Sequence, residues 1–267
     1  SSNSTFKGIQ GGVDFGVCNI QGADWNLHIG GMGGFVEVES KSASVTVDPV
    51  GGRQVVNTTA KVEVPFFGVY TFVTKGPFTF EINVRKDYYR TKVSSFGDIT
   101  YVAPGTKVRG DGLNFNLAAS YRFAIGERAY IEPQVGVSKG QVNFNNLQFA
   151  TAGTDVMNFN RSDSVLGRIG FNAGYIFQAT EQLYLVPFVH ASVWREFAGA
   201  TRAQAVIGAA GQVFEVQTDR VGTFGQLGAG VQFKVQNTPF LGFLRGDFRF
   251  GNNINGKAVN AGLRMQF

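Results

Sequence analysis

The sequence has little charge, almost no cysteine or histidine, and no long apolar run. Charged residues make up 16% of its 267 residues, whereas soluble globular proteins contain roughly 25%. One cysteine and two histidines exclude an internal disulfide and the common zinc sites, so we expect no metal and no cofactor. No stretch reaches the roughly 18 uninterrupted apolar residues of a membrane-spanning helix, which argues against a helical membrane protein.

The net charge of +5 and the pI near 9.3 could indicate a nucleic-acid partner. However, the chain contains no run of about five to eight lysines and arginines, the pattern typical of nucleic-acid patches. We therefore expect that the protein does not bind nucleic acid.

Apolar residues instead alternate with small or polar residues along much of the chain. From Leu113 to Ile125, the odd positions are apolar or aromatic, while the even positions carry Asn, Ala, Ser and Arg. The same period of two recurs in segments 78–85, 165–177, 221–235 and 259–267. Successive side chains of a β-strand point to opposite faces, so the sequence predicts an all-β antiparallel fold.

Three features favour a transmembrane β-barrel over a soluble barrel or sandwich, which also alternates. The predicted strands exceed the usual five or six residues and fit the about 9–11 residues that cross a bilayer. Their polar face carries Gly, Ser, Asn and isolated charges, and aromatic residues such as Tyr88 and Tyr121 gather near strand ends, as in interfacial girdles. Because backbone groups in lipid must all be paired, we predict a closed barrel of the outer-membrane type.

The pattern predicts eleven strands within this chain and about twelve in the barrel, because single-chain bacterial barrels have even strand counts. We expect either one further strand upstream of residue 1 or a wall strand hidden within 198–220. Short and long connections alternate, and the short turns are expected to face the periplasm. The predicted strands are 7–17, 25–39, 61–73, 78–93, 112–125, 130–142, 164–177, 183–197, 221–235, 240–250 and 257–267. The long connections are near 40–60, 94–111, 143–163 and 198–220.

Short segments spread along the chain form an ordered set. They are Gly8–Asp14, Tyr130–Gln134, Leu166–Gly170, Pro187–Phe188, Trp194–Phe197, Arg245–Phe250, Asn255–Gly256, Ala261–Arg264 and the terminal Phe267. This set resembles the C-terminal translocator β-domain of autotransporters, the type V secretion proteins, and the likeness covers nearly the whole chain. Residues 1–267 are therefore expected to form a single translocator β-barrel domain, with Phe267 as its assembly signal.

The resemblance implies an outer-membrane barrel of a Gram-negative bacterium that anchors an N-terminal passenger and helps to export it to the cell surface. It also implies a linker helix that threads the pore before the first strand, and partners in the barrel-assembly machinery and the outer-membrane lipid. Compared with the family pattern, we expect residues 1–267 to contain neither the passenger nor the linker helix nor, by the strand count, the first strand.

The polar strand face predicts a lumen lined by charges of both signs. About twelve strands leave a bore roughly wide enough for one helix, which measures about 10–12 Å across. The charges could pair across the lumen and stiffen the barrel, or contact a threaded polar segment, and the two roles are compatible. The predicted lumen-lining residues are Glu81, Arg85, Asp87, Arg122, Glu132, Arg168, Glu196, Lys234, Arg245, Asp247, Arg249 and Arg264.

Two other functions stay open. A small outer-membrane porin or structural barrel has the same strand pattern. His190 and Ser192 have the spacing seen in outer-membrane lipid hydrolases, in which an imidazole activates a serine for attack on an ester. Such a site must face lipid, yet both residues alternate with Val189, Ala191 and Val193 and so face the lumen. We therefore expect no catalytic activity.

Overall fold

The chain forms an all-β fold in the computed structural model. The structure describes residues 2–20, 22–47, 53–96, 106–148, 156–159, 161–198, 201–207, 212–218 and 221–265. Within these ranges, no helix is long and apolar enough to cross a membrane. The strands are β1 (Ser2–Ile20), β2 (Trp25–Val47), β3 (Arg53–Lys75), β4 (Phe78–Phe96), β5 (Thr106–Tyr121), β6 (Phe123–Ile125), β7 (Ala129–Phe144), β8 (Leu147–Gln148), β9 (Val156–Phe159), β10 (Ser162–Tyr175), β11 (Phe177–Gln178), β12 (Leu183–Glu196), β13 (Thr201–Ile207), β14 (Gln212–Thr218), β15 (Thr223–Val235), β16 (Phe240–Gly251) and β17 (Asn255–Met265).

Eleven of these strands form one antiparallel wall, in the order β1-β2-β3-β4-β5-β7-β10-β12-β15-β16-β17. The short strands β6 and β11 continue β5 and β10 after a break at Arg122 and Ile176, and pair with β7 and β12. Each wall strand therefore pairs with the wall strand that follows it in the chain, as in an up-and-down barrel. The predicted antiparallel all-β fold, with eleven strands in this chain, is confirmed.

Tight turns join the strands at one end of the wall. Residues 76 and 77 alone separate β3 from β4, and Gly76 has a φ of +52°. Gly126 and Asn237 adopt φ values of +64° and +58° in two further turns. This left-handed conformation costs Gly little and is tolerated by Asn, which explains why these residues stand where the chain reverses.

At the other end, strands extend into two of the predicted long connections. β2 continues to Val47 and β3 begins at Arg53, so most of the predicted connection 40–60 belongs to a long hairpin. β4 likewise reaches Phe96, and β5 begins at Thr106. Both stretches contain many Val and Thr residues, which favour strands even without the apolar alternation that lipid demands. The alternation therefore marks the apolar band and misses the strand that extends beyond it.

Four short strands form a second sheet, in the order β14-β13-β9-β8. The predicted loop 198–220 contains the hairpin of β13 and β14, and β13 pairs with β9 rather than with the wall. The idea that 198–220 hides a twelfth wall strand is therefore wrong for the described part of this segment. The strand expected upstream of residue 1 stays a prediction.

Alternation sorts the wall side chains onto two faces. On the outer face, apolar side chains such as Val13, Ile169 and Val259 are 71%, 65% and 79% exposed. On the inner face, Asp87 and Gln226 are 0% and 4% exposed although they are polar. The pattern is the reverse of a soluble protein, whose apolar residues lie inside, and it is what a lipid-facing wall requires.

Candidate functional site

All twelve charged residues predicted for the lumen lie on the inner face of the wall. Cross-strand register assigns eleven of them, because directly paired residues share a face. Arg122 lies in the break between β5 and β6 and is assigned by its hydrogen bond to Glu132. For example, Arg245 pairs with Gly230, Asp247 with Gly228 and Arg249 with Gln226, and Gly228 pairs with the buried His190. The structure joins most of the twelve into small groups, each spanning several strands.

The first group surrounds Asp247 on β16. Arg245 donates to Asp247 Oδ1 from Nη2 at 2.7 Å, and Gln226 donates to the same oxygen from Nε2 at 3.0 Å. Arg245 Nη2 also lies 3.2 Å from His190 Nε2, and the His190 side chain is 4% exposed. Asn260 of β17 donates to the second carboxylate oxygen at 3.4 Å. Side chains from four wall strands therefore meet at one carboxylate, which satisfies the buried polar groups.

Ser192 belongs to a separate contact. Its Oγ accepts a hydrogen bond from Trp194 Nε1 at 3.1 Å, and the Trp194 ring stacks on Phe224 with 5.9 Å between centroids. Within the described residues, Ser192 and His190 share no hydrogen bond. The imidazole contacts the Arg245 guanidinium, and the hydroxyl contacts an indole. This arrangement differs from a serine nucleophile with an adjacent base, which requires a hydrogen bond between the two.

The second group surrounds Asp87 on β4, which is fully buried. Arg85 Nε lies 2.8 Å from Asp87 Oδ1, and Asn114 of β5 donates to Asp87 Oδ2 at 2.5 Å. Tyr89 Oη donates to Oδ2 at 3.4 Å. The Arg85 guanidinium also lies 4.7 Å from the centre of the Phe66 ring on β3, so its charge is held between a carboxylate and an aromatic face.

Glu81 of β4 and Arg168 of β10 lie on one row across the wall, although two strands, β5 and β7, separate them. Glu81 pairs with Ala118, Ala118 with Gly136, and Gly136 with Arg168. The two intervening residues are small, and Arg168 Nε approaches within 3.6 Å of the position that a Cβ on Gly136 would occupy. Small residues between them thus leave room for Arg168 to extend towards Glu81.

The remaining predicted residues behave differently from one another. Arg122 donates to Glu132 Oε2 at 2.7 Å. Glu196 caps a strand end instead of pairing with a cation, since its Oε1 accepts hydrogen bonds from the backbone of Val165 at 2.7 Å and of Ala198 at 3.0 Å. The side chains of Lys234 and Arg249 make no hydrogen bond or ion pair within the described part of the chain. Phe267 lies outside the described residues.

Asp14 on β1 is an inner-face residue that the sequence analysis missed. It accepts hydrogen bonds from Arg264 of β17 at 2.6 Å and from Tyr70 of β3 at 2.9 Å. The sequence feature that could have identified Asp14 is its position between Gly12 and Gly16 on the small, polar face of the first strand. Because residues 14 and 264 stand at opposite ends of the chain, only the curvature of the wall reveals their contact.

Several inner-face glycines leave room for aromatic rings from the neighbouring strand. A Cβ on Gly174 would lie 2.6 Å from the Tyr130 ring, and one on Gly230 would lie 2.7 Å from the Phe188 ring. Each ring therefore lies across the backbone of the next strand instead of projecting away from the wall. This packing keeps large aromatic side chains close to the inner face.

Comparison with known proteins identifies this architecture. The family model described as the Autotransporter beta-domain matches residues 1–244. The pertactin autotransporter of Bordetella parapertussis is 27% identical over 193 residues, which are 72% of this chain and 19% of that protein. The chain thus spans about a fifth of the length of the curated relative that it matches.

Two solved structures share the fold. The beta domain of the Bordetella autotransporter BrkA has a TM-score of 0.70 at 19% identity, and the match covers 100% of this chain and 93% of that one. The transport unit of the autotransporter AIDA-I from Escherichia coli has a TM-score of 0.72 at 13% identity, covering 100% and 83%. The fold, the lipid-facing outer face and the family match together assign the chain to the autotransporter beta-domain family, as an outer-membrane translocator for a passenger domain.

Proposed function

We propose that the inner face lines a narrow aqueous pore through which a polypeptide segment of the same protein, joined to its passenger, passes to the cell surface. The observation that carries this proposal is the pairing of inner-face charges with one another, as at Asp247 and Asp87. Paired charges leave a polar surface with few fixed attractions for a passing segment, because a nearby opposite charge already compensates each of them. Lys234 and Arg249, without such partners, are the residues proposed to contact that segment.

The partners follow from the same assignment. We propose that the passenger and its linker occupy the pore, that the barrel-assembly machinery recognises Phe267, and that outer-membrane lipid surrounds the outer face. Nothing in the charge pattern favours nucleic acid, since the inner-face charges are of both signs. The domain acts as a conduit and anchor and has no catalytic role.

Two alternative functions, an open porin and a lipid hydrolase, predict different experimental results. An open porin shows steady single-channel conductance, whereas a barrel occupied by its linker conducts little until the linker is removed. A lipid hydrolase based on Ser192 releases fatty acid from phospholipid and loses that activity in Ser192→Ala. Absence of fatty-acid release in the wild-type protein excludes the hydrolase, and steady conductance from the protein with its linker in place contradicts the translocator.

Site-specific cross-linking tests the path of the exported segment. Lys234→Cys places a thiol on the inner face, and Val231→Cys, three residues earlier on β15, places one on the outer face. With a second cysteine in the linker of the full-length protein, we expect a disulfide with residue 234 and none with residue 231. Cross-linking to residue 231 alone would contradict passage along the inner face.

A further inference from the structure

The outer face carries a cluster of cations on β4 and β5, just beyond its apolar band. Arg90 pairs directly with Arg109 across the two strands, and Lys92 pairs with Lys107. All four residues are exposed. Like charges directly opposite one another destabilise a sheet, so two successive pairs of this kind call for an explanation beyond folding.

Two carboxylates line the same groove and offset only part of this positive charge. Asp111 pairs with Lys86, and Glu63, which stands opposite Arg90 on β3, lies 3.9 Å from Lys92. Within the described residues, Arg90, Lys107 and Arg109 make no ion pair. We call these three residues the basic cluster. Its three positive charges are in surplus on a surface that borders the apolar band.

The basic cluster lines an open groove of about 580 Å³. Tyr88 also lines this groove, and its ring lies 6.1 Å from that of Phe67. Leu113 and Phe115 follow on β5 on the same face, 47% and 39% exposed. Cations and hydrogen-bond donors therefore stand directly above an aromatic and aliphatic surface, which is the order in which a membrane lipid presents its headgroup and its acyl chains.

We propose that the basic cluster binds the phosphate groups of a phosphorylated glycolipid in the outer leaflet, while the acyl chains lie against Phe67, Leu113 and Phe115. The two arginines offer planar, bidentate donors that suit phosphate oxygens. The groove opens at the wall end opposite to the tight turns, which is the external side of such barrels. The inference rests on this orientation and on the outer-membrane location, and it is independent of passenger export.

Lys41 provides a matched control at the same end of the outer face. Its Nζ lies 2.8 Å from Glu39, and this hydrogen bond raises the pKa of the Lys41 amine above its ordinary value. The Glu39 carboxylate thus already compensates the charge of Lys41. The substitution Lys41→Gln therefore changes the net charge of the protein without altering the basic cluster.

The test is a lipid titration of the protein purified in detergent, read by native mass spectrometry. The probes are lipid A, which is a diphosphorylated glycolipid, its dephosphorylated form, and inorganic phosphate. We expect lipid A to bind the triple variant Arg90→Gln, Lys107→Gln, Arg109→Gln at least about tenfold more weakly than wild type. Lys41→Gln should bind within about twofold of wild type, because its charge is paired.

A second variant distinguishes a loss of lipid binding from a loss of folding. Arg90→Lys with Arg109→Lys retains the charge and should keep more affinity than the glutamine variant, and heat-modifiable migration in gels reports folding of each protein. Equal binding of lipid A to wild type and a folded triple variant would overturn the proposal. The proposal would also be overturned if dephosphorylated lipid A bound as tightly as lipid A. The same holds if inorganic phosphate bound as tightly as lipid A.

Discussion

Asp14 on β1 and Arg264 on β17 connect the two ends of the wall, with Arg264 Nη2 2.6 Å from Asp14 Oδ1. Because eleven antiparallel strands form the wall, its first and last strands run in the same direction and cannot form an antiparallel ladder. Among the described residues, the backbones of β1 and β17 form no ladder at all. In the described part of the chain, side chains and not backbone groups connect these two strands, and Asp14 contacts both Arg264 and Tyr70.

Neutralising the carboxylate at this junction should weaken the barrel more than neutralising the guanidinium. Asp14→Asn disturbs two partners and should lower the free energy of unfolding by about 1–2 kcal/mol. Arg264→Gln should cost at most about 1 kcal/mol, because the Arg264 side chain is 45% exposed and water screens its charge. Urea unfolding in detergent micelles measures both. Arg161→Gln, from an exposed pair with Asp163, is the control, and a larger loss in Arg161→Gln would contradict this role of Asp14.

Removing the buried carboxylate at Asp87 should be among the most damaging single changes. Asp87→Ala leaves Arg85 without its partner on the inner face and removes the acceptor of Asn114, for an expected loss of about 3 kcal/mol. The yield of heat-modifiable folded barrel and its urea midpoint report this loss. Asp111→Ala is the matched comparison, since its side chain is 49% exposed. Similar stability of the two variants would contradict the expectation that burial of the Asp87 carboxylate contributes to the free energy of unfolding.

A methyl group on an aromatic-covered glycine should displace the ring above it. Gly174→Ala should destabilise the folded barrel by about 1–3 kcal/mol, because the new Cβ meets the Tyr130 ring. Gly256→Ala, whose Cβ has no neighbour within 4 Å, should be nearly neutral. Adding Tyr130→Ala to Gly174→Ala removes the clash, so the two changes should be less than additive in a double-mutant cycle. Strict additivity would contradict direct contact.

Ser192→Ala separates a structural hydroxyl from a catalytic one. The variant leaves the Trp194 indole without its acceptor and should cost about 1 kcal/mol of stability. Export of the passenger, measured as protease-accessible protein on intact cells, should be unchanged. Loss of a lipid-hydrolysing activity together with unchanged stability would instead identify Ser192 as a nucleophile.

The sequence predicted the strands well wherever lipid constrains every second residue. Segment 112–125 corresponds to β5 and β6, and its predicted end at residue 125 is the end of β6. Segment 183–197 corresponds to β12, which begins at the predicted residue and ends one residue earlier. Beyond the apolar band this constraint disappears, which is why β2 and β3 extend much further than predicted. The prediction of a loop at 198–220 missed β13 and β14 for the same reason, because these strands have no lipid-facing alternation.

The sequence also predicted which face each inner charge occupies, but not which charges meet. A period of two fixes the face of every residue and leaves the partner on the next strand to the register. The contacts of Asp247 with Arg245 and Gln226, and the reach of Arg168 towards Glu81, depend on that register and on small residues between the strands.

By itself, then, the sequence determined an outer-membrane wall of alternating faces, because hydrocarbon on one side dictates every second side chain. Only the tertiary structure decided that Glu196 caps a backbone, that Ser192 contacts Trp194 rather than His190, and that Asp14 meets Arg264. Those contacts depend on strand register and on the curvature of the sheet, which set distances between residues far apart in the chain and leave no local pattern in it.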